Sequence, residues 1–311
     1  MKRALITGIG GQDGSYLADI LLEKGYEVHG LYRRSSGGNL RNLSHILDRI
    51  VLHQGDVTDY GSVQQVVYDS RPDEVYHEAD QDNVDWSFKL PAYTIDVTIK
   101  GTFNVLECMK YWDTKAKVFI PCSAMMFGDA SAPQTEQTPF NPQSPYACAK
   151  VAVYHMARYY RQVHGMFVVN GILYNHDSPR RHGNYLLHRI CRAAATKSKL
   201  KMYSVDDEVT IGSAKDYMGY VYETMQHDEP DDYIIDTPGR PYSIKELIDL
   251  AYRISGVKYR DYLELNSADR RPGNKHQLRG LTTRFQNLNQ TTDYTPVHFI
   301  IKSLLEKYKC E

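Results

Sequence analysis

An α/β fold organised around a doubly wound parallel sheet, followed by a smaller C-terminal lobe, is what this sequence predicts. Three observations support it. Short apolar runs alternate with helix-period segments through the first half, the first run stops at a cluster of glycines, and after about Leu173 the alternation gives way to proline-containing turns. Strands that alternate with helices pair in parallel, because each helix carries the chain back along the sheet. The boundary is expected near residue 173, with residues 1–173 forming the sheet domain and residues 174–311 mainly the lobe, with some return to the sheet.

Each element follows from its own pattern. Residues 4–7, Ala-Leu-Ile-Thr, read as a strand, and Tyr16, Leu17, Ile20 and Leu21 then recur at helical spacing. Residues 27–32, 50–53 and 74–77 are further strand segments. Residues 101–110 read as helix, 118–120 as strand, 146–161 as a long helix and 167–173 as strand again. The connections at the carboxyl ends of such strands are where ligands bind. In the second half, residues 177–181 and 237–241 are turns, and residues 244–254 and 299–308 are the clearest helices. The 25 tyrosines read as amphipathic packing residues.

Composition removes several function classes. A chain of 311 residues buries a large core, and its net charge of -1 supplies no global field for nucleic acid or an anionic membrane. Its five cysteines form no Cys-x-x-Cys pair and are odd in number, which favours a reducing compartment and offers no zinc spacing. The opening residues run directly into a strand with no apolar signal segment, and no window approaches 18 apolar residues. A soluble cytoplasmic protein without a metal is expected.

The glycines carry the first chemical signal. Gly8-x-x-Gly11-x-x-Gly14 lies between a strand and a helix, the Rossmann-type setting in which glycines let the backbone approach a pyrophosphate at a helix N-terminus. Gln12 and Asp13 lie inside that turn. At the end of the second strand, where a carboxylate would bind the ribose hydroxyl of NAD, the chain has Arg33, Arg34, Ser35 and Ser36. Guanidiniums and hydroxyls suit a 2′-phosphate, so NADP is expected over NAD. A solvated basic turn is the plainer alternative. Asp56, after the third strand, is placed to accept from an adenine amino group or to cap an acidic turn.

The second signal is Ser144-Pro145-Tyr146, with Lys150 four residues after the tyrosine. Pro145 begins a helix, and on it Tyr146 and Lys150 share one face. A nearby ammonium favours the phenolate and draws the phenol towards the range where it removes a proton from a hydroxyl group. Taken alone, the spacing also describes an ordinary surface pair.

With these segments in order, the chain resembles the extended short-chain dehydrogenase/reductase superfamily, and within it the GDP-mannose 4,6-dehydratases. The likeness covers nearly the whole length and is densest at residues 8–17, 28–36, 144–146 and 169–181. The resemblance implies that Tyr146, Lys150 and Ser123 are catalytic, the phenol removing a hydroxyl proton as NADP takes hydride from C4 of the mannose. It implies that His176 and Arg181 contact NADP, that Asn175, Arg189 and Arg271 contact a nucleotide sugar, expected to be GDP-linked, and that residues 33–36 reach both the cofactor and a neighbouring subunit. A homodimer or homotetramer is implied as well, with Val151, Ala152, Met156 and Ala157 as a candidate apolar stripe.

The family's reaction also eliminates water across C5 and C6, which needs a second acid/base. The family pattern Thr-Ser-Glu stands in this chain as Ser123, Ala124 and Met125. A thioether neither abstracts nor donates a proton, and loss of such a group costs about 10²–10⁴-fold in rate. Residues 78–84, Glu-Ala-Asp-Gln-Asp-Asn-Val, bring carboxylates where the family has small and apolar residues. The pattern's Arg-Asp-Trp-Gly stands as Val209 to Gly212, and its Arg-Pro-x-Glu as Arg271 to Asn274. Three expectations follow: a dehydratase in which Asp80 or Asp82 supplies the missing group, a 4-keto reductase or epimerase without dehydration, or a non-catalytic NADP-binding homologue.

Overall fold

The computed structural model describes residues 1–34, 40–113, 115–265, 278–289 and 293–310. Its first half runs β1 (Arg3–Thr7), α1 (Gln12–Glu23), β2 (Glu27–Tyr32), β3 (Val51–Gln54), α2 (Tyr60–Ser70) and β4 (Glu74–His77). The short helices α3 (Val84–Lys89) and α4 (Pro91–Ile95) lead through a π-helical turn, Asp96–Lys100, into α5 (Gly101–Trp112). Then come β5 (Lys117–Ser123), α6 (Pro145–His164) and β6 (Phe167–Leu173). The second half carries β7 (His176–Asp177), α7 (Leu186–Thr196), β8 (Leu200–Met202), β9 (Glu208–Val209), β10 (Gly212–Ser213) and α8 (Ala214–Thr224). It ends with β11 (Asp232–Ile235), β12 (Tyr242–Ser243), α9 (Ile244–Ile254), β13 (Leu263–Leu265), α10 (Thr283–Asn289) and α11 (Val297–Cys310).

Seven strands form one parallel sheet in the order β11-β6-β5-β4-β1-β2-β3. The order reverses between β1 and β4, and a doubly wound sheet opens a crevice at such a switch point. Ala4, Leu5 and Ile6 are almost fully buried, as a strand covered on both faces requires. The apolar core divides in two: one cluster surrounds the sheet, and a second gathers α7, α9 and α11 through Leu187, Leu247, Ile301 and Leu304. Residues 214–235 belong with the first. There α8 packs on α1, and β11 extends the sheet beside β6 in parallel register, Asp232 facing Asn170 and Ile235 facing Leu173.

Helix α6 shows how local chemistry sets a functional element. Ser144 accepts the amide of Ala147 at 3.1 Å, Pro145 occupies the first turn, and Gly165 ends the helix in the left-handed conformation at φ 64°. Each supplies what a helix end lacks. The helix packs against β5 and β6, which buries Tyr146 and Lys150 at its start. Of the proposed stripe, Ala157 is buried in its own core, while Val151, Ala152 and Met156 are half-buried. Among the described residues no helix is long and apolar enough to cross a membrane.

Candidate active site at the switch point of the sheet

The glycine turn is held by close backbone packing. Gly8 has φ +69°, and a Cβ there would lie 2.8 Å from the backbone nitrogen of Ala79. A Cβ on Gly14 would lie 2.6 Å from the carbonyl oxygen of Gly8. These contacts let α1 start directly against β1 and the chain that follows β4. Among the described residues no side chain caps the N-terminus of α1, whose first turn lines a cavity of about 790 Å³. Uncapped amides and the helix dipole at such a place suit a pyrophosphate, so the cradle fits a dinucleotide.

That cavity collects nearly all of the residues singled out from the sequence. Gly8, Gly11, Gln12, Asp13, Gly14, Arg33, Asp56, Ser123, Tyr146, Lys150, Asn175, His176, Arg181 and Arg189 all line it. Arg34 is exposed and does not line it. Ser35, Ser36 and Arg271 lie outside the described residues. Among the described residues no cluster of three or more His, Cys, Asp or Glu side chains is arranged for a metal ion.

Several of these side chains already have partners. Asp56 accepts from the amide of Thr58 at 2.9 Å and from its hydroxyl at 2.8 Å, which makes it a turn cap at the cavity wall. Arg33 donates to the Tyr93 hydroxyl at 2.7 Å. Gln12 donates to Asp13 and accepts from Ser178, and Asp13 faces His176 Nε2 at 3.1 Å. Burial opposes charge on both members of that last pair. Their mutual attraction overcomes it, raising the His176 imidazole above its ordinary value and lowering the Asp13 carboxyl below its own. Arg181 donates to the His176 carbonyl at 2.7 Å, lies 3.6 Å from the centre of the Tyr185 ring, and reaches Asp82 at 3.5 Å.

At the other end, Ser123 closes β5, and its hydroxyl accepts the amide of Met125 at 3.2 Å. Tyr146 is 8% exposed and lines the cavity together with Ser123. Lys150 Nζ lies 5.8 Å from the Tyr146 ring centre but donates at 2.6 Å to the Pro121 carbonyl and sits 2.6 Å from Asp80 Oδ2. Burial pushes the phenol up, Lys150 pulls it down, Asp80 pushes it up again, and the result is about 12. Met125 is half-buried, packing against the sheet core and lining the cavity. It therefore both fills space and stands at the reacting end.

The chain after β4 supplies what sequence reading did not anticipate. Glu78 lines the cavity with its Oε1 buried and without a hydrogen-bond partner among the described residues. Burial, reinforced by Asp13 and Asp80 against Lys150, raises its carboxyl to about 8. The carboxylates of residues 78–82 are visible in the sequence, but the ion pair with Lys150 is not. Asn42, which donates to the carbonyls of Gly10 and Arg180, and Tyr185, stacked on Arg181, give no sequence signal at all.

Comparison with known proteins places this geometry. Residues 5–295 match the family model described as GDP-mannose 4,6 dehydratase. GDP-mannose 4,6 dehydratase 1 of Arabidopsis thaliana is 38% identical over 296 residues, covering 90% of this chain and 82% of its own. A GDP-mannose 4,6-dehydratase of Vibrio cholerae is 41% identical over 272 residues, covering 83% of this chain and 73% of its own. Among solved structures, a dTDP-glucose 4,6-dehydratase of Streptomyces venezuelae with NAD bound has a TM-score of 0.90 at 21% identity. It covers 99% of this chain and 97% of that one. A UDP-glucose 4-epimerase of Thermotoga maritima has a TM-score of 0.89 at 19% identity, covering 99% and 98%. The two solved structures share the fold, and the family model with relatives near two-fifths identity shows that this chain belongs to the GDP-mannose 4,6-dehydratase family.

Proposed function

We propose that this protein binds NADP and a GDP-linked sugar and moves hydride and proton at a sugar carbon, with the elimination step of its family lacking the usual carboxylic acid. The observation that carries the reading is the convergence of Ser123, Tyr146 and Lys150 with the glycine turn on one cavity. A nicotinamide bound there supplies a hydride acceptor and donor. Tyr146 takes the proton of the sugar hydroxyl, and Ser123 hydrogen-bonds the same oxygen. Lys150 supplies the positive charge behind them. Arg33, lining the cavity just after β2, favours a 2′-phosphate, and Asn175 and Arg189, which line the same cavity, are read as contacts for the sugar nucleotide. The solved relative named with NAD supports a nicotinamide dinucleotide, and the relatives named for GDP-mannose support the guanine-linked sugar.

Dehydration is where this chain departs. Met125 lines the cavity without proton chemistry, and Asp80 is committed to Lys150. Asp82 favours a second reading, dehydration by a relocated acid/base: its side chain is 60% exposed and lines the same cavity. Association of two copies along α6 is part of the proposal, supported by Tyr159 at 50% and Val163 at 62% exposure.

Purified protein incubated with NADP and GDP-mannose, with the product weighed by mass spectrometry, tests the reading. Unchanged GDP-mannose together with reduction of a 4-keto-6-deoxy sugar nucleotide by NADPH is the expected result. Loss of one water from GDP-mannose moves the function to the second reading, and Asp82→Asn then has to abolish it. Retention of NADP with no turnover of either compound overturns both and leaves a non-catalytic homologue.

A further inference from the structure

The ammonium of Lys150 is taken by a partner that competes with its role beside the phenol. Asp80 Oδ2 lies 2.6 Å from Nζ, and the Pro121 carbonyl accepts from the same nitrogen at 2.6 Å. The carboxylate is itself fixed, because its Oδ1 accepts from the Thr98 hydroxyl in the π-helical turn and from the amide of Gln81 at 2.7 Å. The two side chains are only 5% and 10% exposed, so water screens little of the interaction.

We propose that Asp80 is a positioning residue that locks the Lys150 ammonium in a closed ion pair and thereby holds the Tyr146 phenol in its neutral form. The inference rests on the reading of Tyr146 as the base at this site. A lone cation at that distance attracts a phenolate, whereas a cation neutralised at contact presents the phenol with a dipole of much weaker pull. The groups facing Tyr146 are Lys150 on its own helix, Asp80 and Asp82 after β4, and Ser123 on β5. Those facing Lys150 also include His77 and Glu78 on the β4 side and Cys122 on β5. Of these groups facing the phenol, Lys150 alone is a cation. The added carboxylates therefore set the direction, and proton removal by Tyr146 is displaced to alkaline pH.

The test reads the phenol directly, in the full chain without cofactor or sugar. Tyrosine is labelled at Cζ, the Tyr146 resonance is identified by its loss in Tyr146→Phe, and its shift is followed against pH in wild type, Asp80→Ala and Asp80→Asn. The midpoint is expected to fall by about 1–3 pH units in both Asp80 variants. Asp80→Asn keeps an acceptor for Thr98 and Gln81, so it separates charge from packing and decides the matter should Asp80→Ala fail to fold. An unchanged midpoint in a folded variant overturns the proposal, as does a wild-type midpoint below the ordinary tyrosine value of about 10. No turnover is measured, so even a chain inactive on every sugar nucleotide shows whether the ion pair governs the phenol.

Discussion

A Cβ on Gly8 would lie 2.8 Å from the backbone nitrogen of Ala79, across the point where the sheet order reverses. Two chain segments far apart in sequence thus meet at the floor of the cavity in close backbone contact, with the Thr7 hydroxyl accepting the amide of Ala79 at 3.2 Å. Gly8→Ala has to resolve that clash and also hold a left-handed conformation at φ +69°. A destabilisation of about 2–4 kcal/mol is expected in urea unfolding. A loss below about half of 1 kcal/mol would show that the segment bearing Ala79 moves aside freely.

The pair of Asp13 and His176 ties the first turn of α1 to β7. Because folding raises the His176 value, the pair's contribution is complete below the unfolded value of about 6.5 and is lost as pH rises through the raised folded value. Folding lowers the Asp13 carboxyl, so at the acid side the contribution is lost as pH falls through that lowered value. Wild type is therefore expected to lose stability relative to His176→Gln as pH rises from about 6.5 through the raised folded value. Parallel unfolding curves for the two proteins across that window would show that the pair adds nothing to stability.

Glu78 carries the opposite kind of burden. Its carboxyl rises from an ordinary value of 4.5 to about 8, first through burial. The native state thus holds a proton that the unfolded chain gives up, and stability falls as pH rises between those two values. Glu78→Gln, which has no proton to lose, is expected to melt a few degrees above wild type at about pH 8 and to match it near pH 4. A calorimetric scan at each pH checks it.

On the proposed function, Met125 takes the place of a glutamate and Tyr146 is the base. Met125→Glu is expected to introduce water loss from GDP-mannose, read by product mass. Tyr146→Phe is expected to lower any turnover by about 10²–10⁴-fold while leaving NADP binding within a few-fold. Equal turnover in wild type and Tyr146→Phe would place the base elsewhere.

Much of the fold is legible from local pattern. Residues 27–32 and 74–77 are strands with the bounds their sequence suggests, as residues 244–254 are a helix, because short apolar runs and 3.6-residue periodicity are written locally. The helix α7 also carries an apolar stripe, through Leu187, Ile190, Cys191 and Ala194, and Tyr233-Ile234-Ile235 in β11 is a short apolar run. Local pattern does not say where these elements and α8 go, because their packing partners, α11, β6 and α1, lie far away in sequence.

The site divides in the same way. The glycine turn and the shared face of Tyr146 and Lys150 can be read from the chain alone, because both depend on residues within about one turn of each other. That Asp80 reaches Lys150 and that Asp13 meets His176 emerged from the folded arrangement, which also shows Asp56 capping its own turn, one of its two expected roles. The strength of the charged pairings depends on distance and on exclusion of water, and neither exists until β4, β5 and α6 have closed around the charges.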